Sequence, residues 1–270
     1  MAKIGWIGAG NMASAMIGGA ASAGIVPGEE MIVSNPSNTK LERLKAAYGV
    51  QTTADNKKAA QEAESFLFLC VKPQVLPGVL AEIQDVVRKD TVLVSIAAGK
   101  TIAEIEKAFE RPIKLVRVMP NTPALVGEGI SAICPNAEMA KPENRMALGE
   151  VLQICRSFGS AEELPERLID VAGQVGGASP AWIFMVIEAL ADGAVAEGMP
   201  RDMAYRFAAA GAAGAGKLAQ EKGLHPGQLK DMVTSPGGTT IEGVRTLEAR
   251  GVRGAFMDAV INACEKAKHL

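Results

Sequence analysis

The sequence predicts an α/β domain built on a doubly wound, mostly parallel sheet, followed by an all-α domain. Three observations predict it. Short apolar strand segments alternate with amphipathic helical segments through the first half of the chain. The strand signal stops near Glu162. From there to the C-terminus, helix-like stretches follow one another between Gly and Pro breaks. The expected domains are therefore residues 1–162 and 163–270.

The elements follow in order. "KIGWIG" is a short buried strand, and "NMASAMIGGAASAG" is a helix closed by Gly24. "MIVSN" is the second strand, and "TKLERLKAAYG" a helix ending at Gly49. Thr39 and Glu42 have the spacing of a capping box at its start. Strand "SFLFLCV", helix "LAEIQDVVRK", strand "TVLVSI", helix "IAEIEKAF" and strand "IKLVRVM" continue the alternation. Strands apolar on both faces belong to a parallel sheet covered on both sides. "GISAIC" and "ENRMALGEVLQICRSFG" are candidates to extend it. Six further helices are expected, from "RLIDVAGQVGG" to "RGAFMDAVINACEKAKHL". In "AAAGAAGAGKLA" no strand precedes the glycines, so its small residues predict close helix packing, not a second phosphate loop.

Composition removes several function classes. Nearly half of the 270 residues are hydrophobic and the net charge is −2, so no polyelectrolyte partner such as nucleic acid is expected. The four cysteines are scattered, without metal-ligand spacing. The two histidines, His225 and His269, argue against a His-based metal site or a Ser-His-Asp triad, and no metal is expected. "AWIFMVIEALADGAV" is interrupted by Glu188 and Asp192, so no membrane span is expected. "MAKIGWIG" enters the first strand without a leader pattern, and the expected location is the cytoplasm.

The first turn carries the chemistry. Gly8-Ala9-Gly10-Asn11-Met12-Ala13 is G-x-G-x-x-A between a strand and a helix, the dinucleotide-binding signature of a Rossmann fold. Its glycines let backbone N–H groups approach a pyrophosphate at the positive end of a helix. After the second strand, where an NAD enzyme usually carries Asp or Glu, "IVSNPSN" has none. Asn35, Ser37 and Asn38 are neutral, with Lys40 and Arg43 beyond, so NADP(H) is favoured and NAD(H) is the alternative. Ser37 and Asn38 also suit a helix start. Lys72 in "CVKPQ" reads equally as a phosphate partner or a solvated lysine.

With these residues in hand, the sequence resembles the pyrroline-5-carboxylate reductase family. "IGAGNMASAMI", "VKPQ", "RVMPNTPALVGEG", "IEALADGAVAEGMPR" and "HPGQLKDMVTSPGGTTIEG" occur in the family's order over nearly the whole chain. The resemblance implies reduction of 1-pyrroline-5-carboxylate to L-proline by NAD(P)H. It also implies a helical domain that dimerises by interlocking, with decamers built from dimers known in the family. It places the cofactor on Ile7, Gly8, Ala9, Gly10, Asn11, Met12, Asn35, Ser37, Asn56, Val71, Lys72, Pro73, Ala97 and Ala98. It places the substrate on Ser235, Gly237, Gly238, Thr239 and Thr240. Two positions depart from the family pattern. "GGASPAW" at 176–182 replaces a "SGSGPAY"-like stretch, and Pro36 stands where arginine is common.

Hydride transfer to a cyclic imine asks the protein mainly for position and field. The ring nitrogen can arrive protonated, so no general acid is required. The substrate carboxylate needs a receptor. In "SPGGTT" two glycines can expose N–H groups to an anion, and Thr239 and Thr240 open a helix. A Thr240 hydroxyl is then placed to meet the ring nitrogen. The competing role for these threonines is helix capping alone.

Overall fold

The structure, a computed structural model, describes residues 2–267, and His269 lies outside them. Two compact units divide between Gly177 and Ala178.

The first unit holds one eight-stranded sheet in the order β3-β2-β1-β4-β5-β6-β7-β8. β1 (Ala2–Ile7), β2 (Met31–Ser34), β3 (Gln51–Thr53), β4 (Ala63–Leu69), β5 (Val92–Ser95) and β6 (Lys114–Met119) are all parallel. β7 (Gly129–Pro135) runs antiparallel to β6, and β8 (Gly159–Glu163) pairs parallel to β7. The helices are α1 (Asn11–Ser22), α2 (Asn38–Tyr48), α3 (Asn56–Glu62), α4 (Leu76–Ile83), α5 (Ile102–Glu106) and α6 (Arg145–Arg156).

Alternation along the strands builds two cores. Ile4, Trp6, Phe66, Phe68, Val94 and Val116 face one side with Met16, Ile17 and Ile154. Ile7, Leu67, Leu69, Leu93 and Leu115 face the other with Leu80, Ile83 and Ile105. Trp6 and Phe68 are opposite in register and stack with ring centroids 4.0 Å apart. Each such side chain, fully buried, contributes about 1.5–3 kcal/mol. The sheet therefore holds itself together on both faces.

Several local expectations shift. Thr39 caps nothing: α2 starts at Asn38 behind Ser37, so Thr39 is already helical. The capping box forms instead at Thr101 and Glu104. α4 starts earlier than its apolar spacing suggests, because Pro77 is tolerated in the first turn, and it ends at Ile83. β3 and α3 carry too few apolar residues to show in the sequence.

The sheet ends at Glu163, one residue past the expected domain boundary, yet the first unit continues to Gly177. The physical reason is a buried anchor. Arg117 on β6 is 3% exposed and pairs with Glu166 at 3.2 Å and Asp170 at 2.6 Å. Ile169, in α7 (Ile169–Ala172), is fully buried against the sheet. A π-helical turn, Gly173–Ala178, follows.

The second unit contains α8 (Ser179–Ala196), α9 (Arg201–Lys222), α10 (Pro226–Met232), α11 (Thr239–Ala249) and α12 (Val252–Ala267, its last residue in the first unit). Its buried core is Ala191, Ala204 and Ala208. Many large apolar side chains are exposed, among them Phe184, Met185 and Leu190 on α8, Phe207 on α9, and Met257 and Ile261 on α12. The glycine- and alanine-rich stretch of α9 is mostly exposed as well. By length and composition alone, the helical run Glu166–Ala196 is apolar enough to cross a membrane, which the broken pattern of "AWIFMVIEALADGAV" did not suggest.

Candidate functional site

The strand order reverses between β1 and β4, and the ends of β1, β2, β4 and β5 lie side by side there. In doubly wound sheets ligands bind at this edge. Gly8 follows β1 at φ 106°, and its N–H donates to the Ser34 carbonyl at 2.8 Å. A Cβ on Gly8 would come within 2.4 Å of the Cys70 carbonyl oxygen, so no other residue fits the turn. Gly10 is the N-cap of α1 and carries no capping side chain, and a Cβ there would meet open space. The first-turn N–H groups of α1 thus face a clear approach, which suits an anion. That space and that donor set fit a dinucleotide pyrophosphate.

At the end of β2, the Ala9 N–H donates to Asn35 Oδ1 at 3.1 Å, and Asn35 Nδ2 donates to the Ser37 carbonyl. Fully buried Ser34 donates its hydroxyl to Asn56 Oδ1 at 2.6 Å. Asn56 Nδ2 donates to Glu82 Oε2 at 2.9 Å. No acid follows β2 directly. Past β4 come Val71, Lys72 and Pro73, with Lys72 exposed. Past β5, Ala97 is buried and Ala98 exposed. Burial pushes the Cys70 thiol up, so the cysteine nearest the glycine turn stays neutral.

In the second unit, α10 ends at Met232 and is closed by the Thr234 hydroxyl donating to the Lys230 carbonyl at 2.6 Å. Pro236 therefore does not stop that helix. It opens a turn in which the Gly238 N–H donates to the Ser235 carbonyl at 3.1 Å and Gly237 has φ 65°. Pro then Gly with positive φ is the type II pattern. The Gly238 N–H is thus spent inside the loop and is not offered to an anion. Gly238, not a threonine, is the N-cap of α11. Thr239 and Thr240 are exposed in its first turn, and neither hydroxyl caps the helix. His225 caps α10 by accepting from the Gly227 N–H at 3.1 Å, which leaves it a structural role. Among the described residues no cluster of three metal-ligating side chains forms.

Comparison with known proteins decides the family. Residues 166–270 match the family described as pyrroline-5-carboxylate reductase dimerisation. Residues 3–99 match the family described as NADP oxidoreductase, coenzyme F420-dependent. Over 99% of its length the chain is 45% identical to pyrroline-5-carboxylate reductase of Escherichia coli, covering 98% of that protein. The chain belongs to the pyrroline-5-carboxylate reductase family.

Solved members of the family share the whole fold. A pyrroline-5-carboxylate reductase from Coxiella burnetii superposes with a TM-score of 0.91 at 32% identity, covering 99% of this chain and 98% of that one. The Plasmodium falciparum pyrroline carboxylate reductase, solved with NADP bound, does so with a TM-score of 0.84 at 31% identity, covering 99% and 97%. The dimerisation family accounts for the exposed apolar helices of the second unit, including the apolar run through α8.

Of the fourteen residues expected at the cofactor, Ile7 is the last of β1, Asn56 opens α3 against Ser34, and the rest follow the ends of β1, β2, β4 and β5. The five expected at the substrate form one turn and helix start in the other unit. Sequence reasoning missed Ser34 and Glu82. Ser34 was legible as the last strand residue before Asn35. Glu82 sits in the last turn of α4 with no motif around it and gave no signal. It also missed the internal role of Asn121 in "MPNTP". That side chain accepts from the Ile130 N–H and donates to the Gly176 carbonyl, both at 2.8 Å, tying the loop after β6 to the π turn.

Proposed function

We propose that this chain reduces 1-pyrroline-5-carboxylate to L-proline with NADPH, NADH being the poorer donor, as the last step of proline synthesis. The observation that carries this is the near-full-length identity to a reductase of that name. Both motif regions are intact beside it. When bound, NADPH supplies the hydride. The protein's part is to hold and orient. α1 presents first-turn N–H groups to the pyrophosphate past Gly8 and Gly10. Asn35, Ser37 and Asn56 receive the adenine-ribose end, where no carboxylate directly after β2 opposes a 2′-phosphate. Val71, Lys72, Pro73, Ala97 and Ala98 line the remaining edge.

The start of α11 receives the substrate. First-turn N–H groups from Thr239 onward face its carboxylate, assisted by the helix dipole. The protonated ring nitrogen donates to Thr240 Oγ1, which fixes the orientation of the C=N bond. One hydride on carbon and the proton already on nitrogen complete the amine. The working unit is a cytoplasmic homodimer through the second unit, with a decamer built from such dimers as the larger assembly.

Thr240→Val tests the site. It keeps β-branching and removes the hydroxyl. A hydrogen bond to a charged group contributes about 1.5–3 kcal/mol, so kcat/KM for the imine should fall roughly tenfold to a hundredfold. NADPH affinity and melting should hold, because Gly238 is the cap. Full activity in the variant removes Thr240 from the mechanism.

A further inference from the structure

We propose that Glu82 is a positioning residue for cofactor selection, acting through Asn56. The inference rests on the cofactor role of Asn56 proposed above. Asn56 lies at the first position of α3, against the end of β2. Ser34 links it to the glycine turn, because the Ser34 carbonyl accepts from Gly8 N–H while the Ser34 hydroxyl donates to Asn56 Oδ1. An asparagine amide has two nearly isosteric ends, and its neighbours decide which way it points. A serine hydroxyl can donate or accept, so Ser34 by itself does not decide. Glu82, an ionised carboxylate, only accepts. At 2.9 Å from Asn56 Nδ2 it fixes the nitrogen toward itself and the oxygen toward Ser34.

The consequence is chemical. With Oδ1 spent on Ser34 and one N–H spent on Glu82, the amide has one N–H left to give. The site after β2 is therefore held as a donor site, which matches the acceptor oxygens of a 2′-phosphate. A flipped amide would point its oxygen at that phosphate. The carboxylate that an NAD-type site carries directly after β2 is thus displaced onto α4, behind an amide that converts it into a donor.

The test is binding, read apart from turnover. Adenosine 2′,5′-bisphosphate and 5′-AMP are titrated by calorimetry into the full-length wild type and into Glu82→Ala, Glu82→Gln, Asn56→Ala and the Asn56→Ala/Glu82→Ala double variant. Glu82→Ala should weaken the bisphosphate about tenfold or more, the scale of a hydrogen bond to a charged group, and move AMP far less. Glu82→Gln, which keeps an acceptor oxygen in one rotamer, should restore part of the loss. The double variant should be no worse than Asn56→Ala alone, since Glu82 acts only through that amide. Equal losses for both ligands, or tighter bisphosphate binding in Glu82→Ala, would overturn the proposal. If Asn56→Ala binds the bisphosphate like wild type, the cofactor role of Asn56 fails. If Asn56→Ala loses affinity while Glu82→Ala does not, only the positioning role fails.

Discussion

The first unit buries Trp6, Phe66, Phe68 and two full faces of aliphatic side chains, whereas the second buries three alanines. The difference lies in what each unit needs to be stable. Ordering a chain costs about 1–2 kcal/mol per residue in backbone entropy. The sheet offsets this with its own contacts. Five helices around three alanines do not, and their exposed Phe, Met and Leu side chains mark where the missing burial must come from. The family's dimerisation description supplies that source. One half of the molecule carries a cofactor edge on a self-sufficient scaffold. The other carries the "SPGGTT" turn on a scaffold that a second copy completes.

The largest effect should come from attacking the incomplete half. Phe184→Glu on α8 puts a charge on a side chain that is 65% exposed in the single chain. A charge there, buried on dimerisation without a partner, would cost several kcal/mol. Sedimentation should show monomer, and circular dichroism should show loss of helix with the first unit still melting cooperatively. A folded, helical monomer would show that the second unit stands without a second copy.

The next effect concerns the seam at residues 164–177. Removing both carboxylates, Glu166→Ala with Asp170→Ala, leaves the Arg117 guanidinium buried without a counterion. About 3–5 kcal/mol of stability should be lost in urea unfolding. Adding Arg117→Met to the pair should recover most of it. If the double variant unfolds like wild type, the first unit does not depend on this anchor.

The smallest effect sharpens the claim that the first unit rests on packing. Thr101 N–H and hydroxyl groups hold the Glu104 carboxyl below the usual range. A depressed folded value means this contribution is complete above the ordinary carboxylate pKa and disappears as pH falls through the folded one. Glu104→Ala should cost about 1 kcal/mol or less at neutral pH, and nothing in strong acid. A larger loss, measured by thermal melting across pH, would mean that surface capping outweighs core packing.

Much of this was legible in the sequence, for definite physical reasons. Strands buried on both faces leave continuous apolar runs, so β1, β2, β4, β5 and β6 declared themselves. The glycine turn was legible because Gly8 sits where a Cβ cannot. β3, with an exposed Gln51 and two half-exposed threonines, left no pattern. That "SPGGTT" separates two helices was visible, but not the division of labour inside it. Nothing in the letters says that Gly238 closes a turn on Ser235 and caps α11 at once. Glu82 was illegible because its partner Asn56 is 26 positions away and the two helices meet only in the fold.

The stack of Trp6 on Phe68 has an optical consequence. The chain has two tryptophans, and they fall one in each unit: Trp6 fully buried, Trp182 half-buried on α8. Trp6 should emit at the blue end of the range and resist iodide. Trp182 should emit further to the red and change when two chains associate. Reduced nicotinamide absorbs where tryptophan emits, so cofactor at the sheet edge should dim Trp6 by energy transfer. Replacing either tryptophan with phenylalanine would leave a single-colour reporter for one half of the molecule.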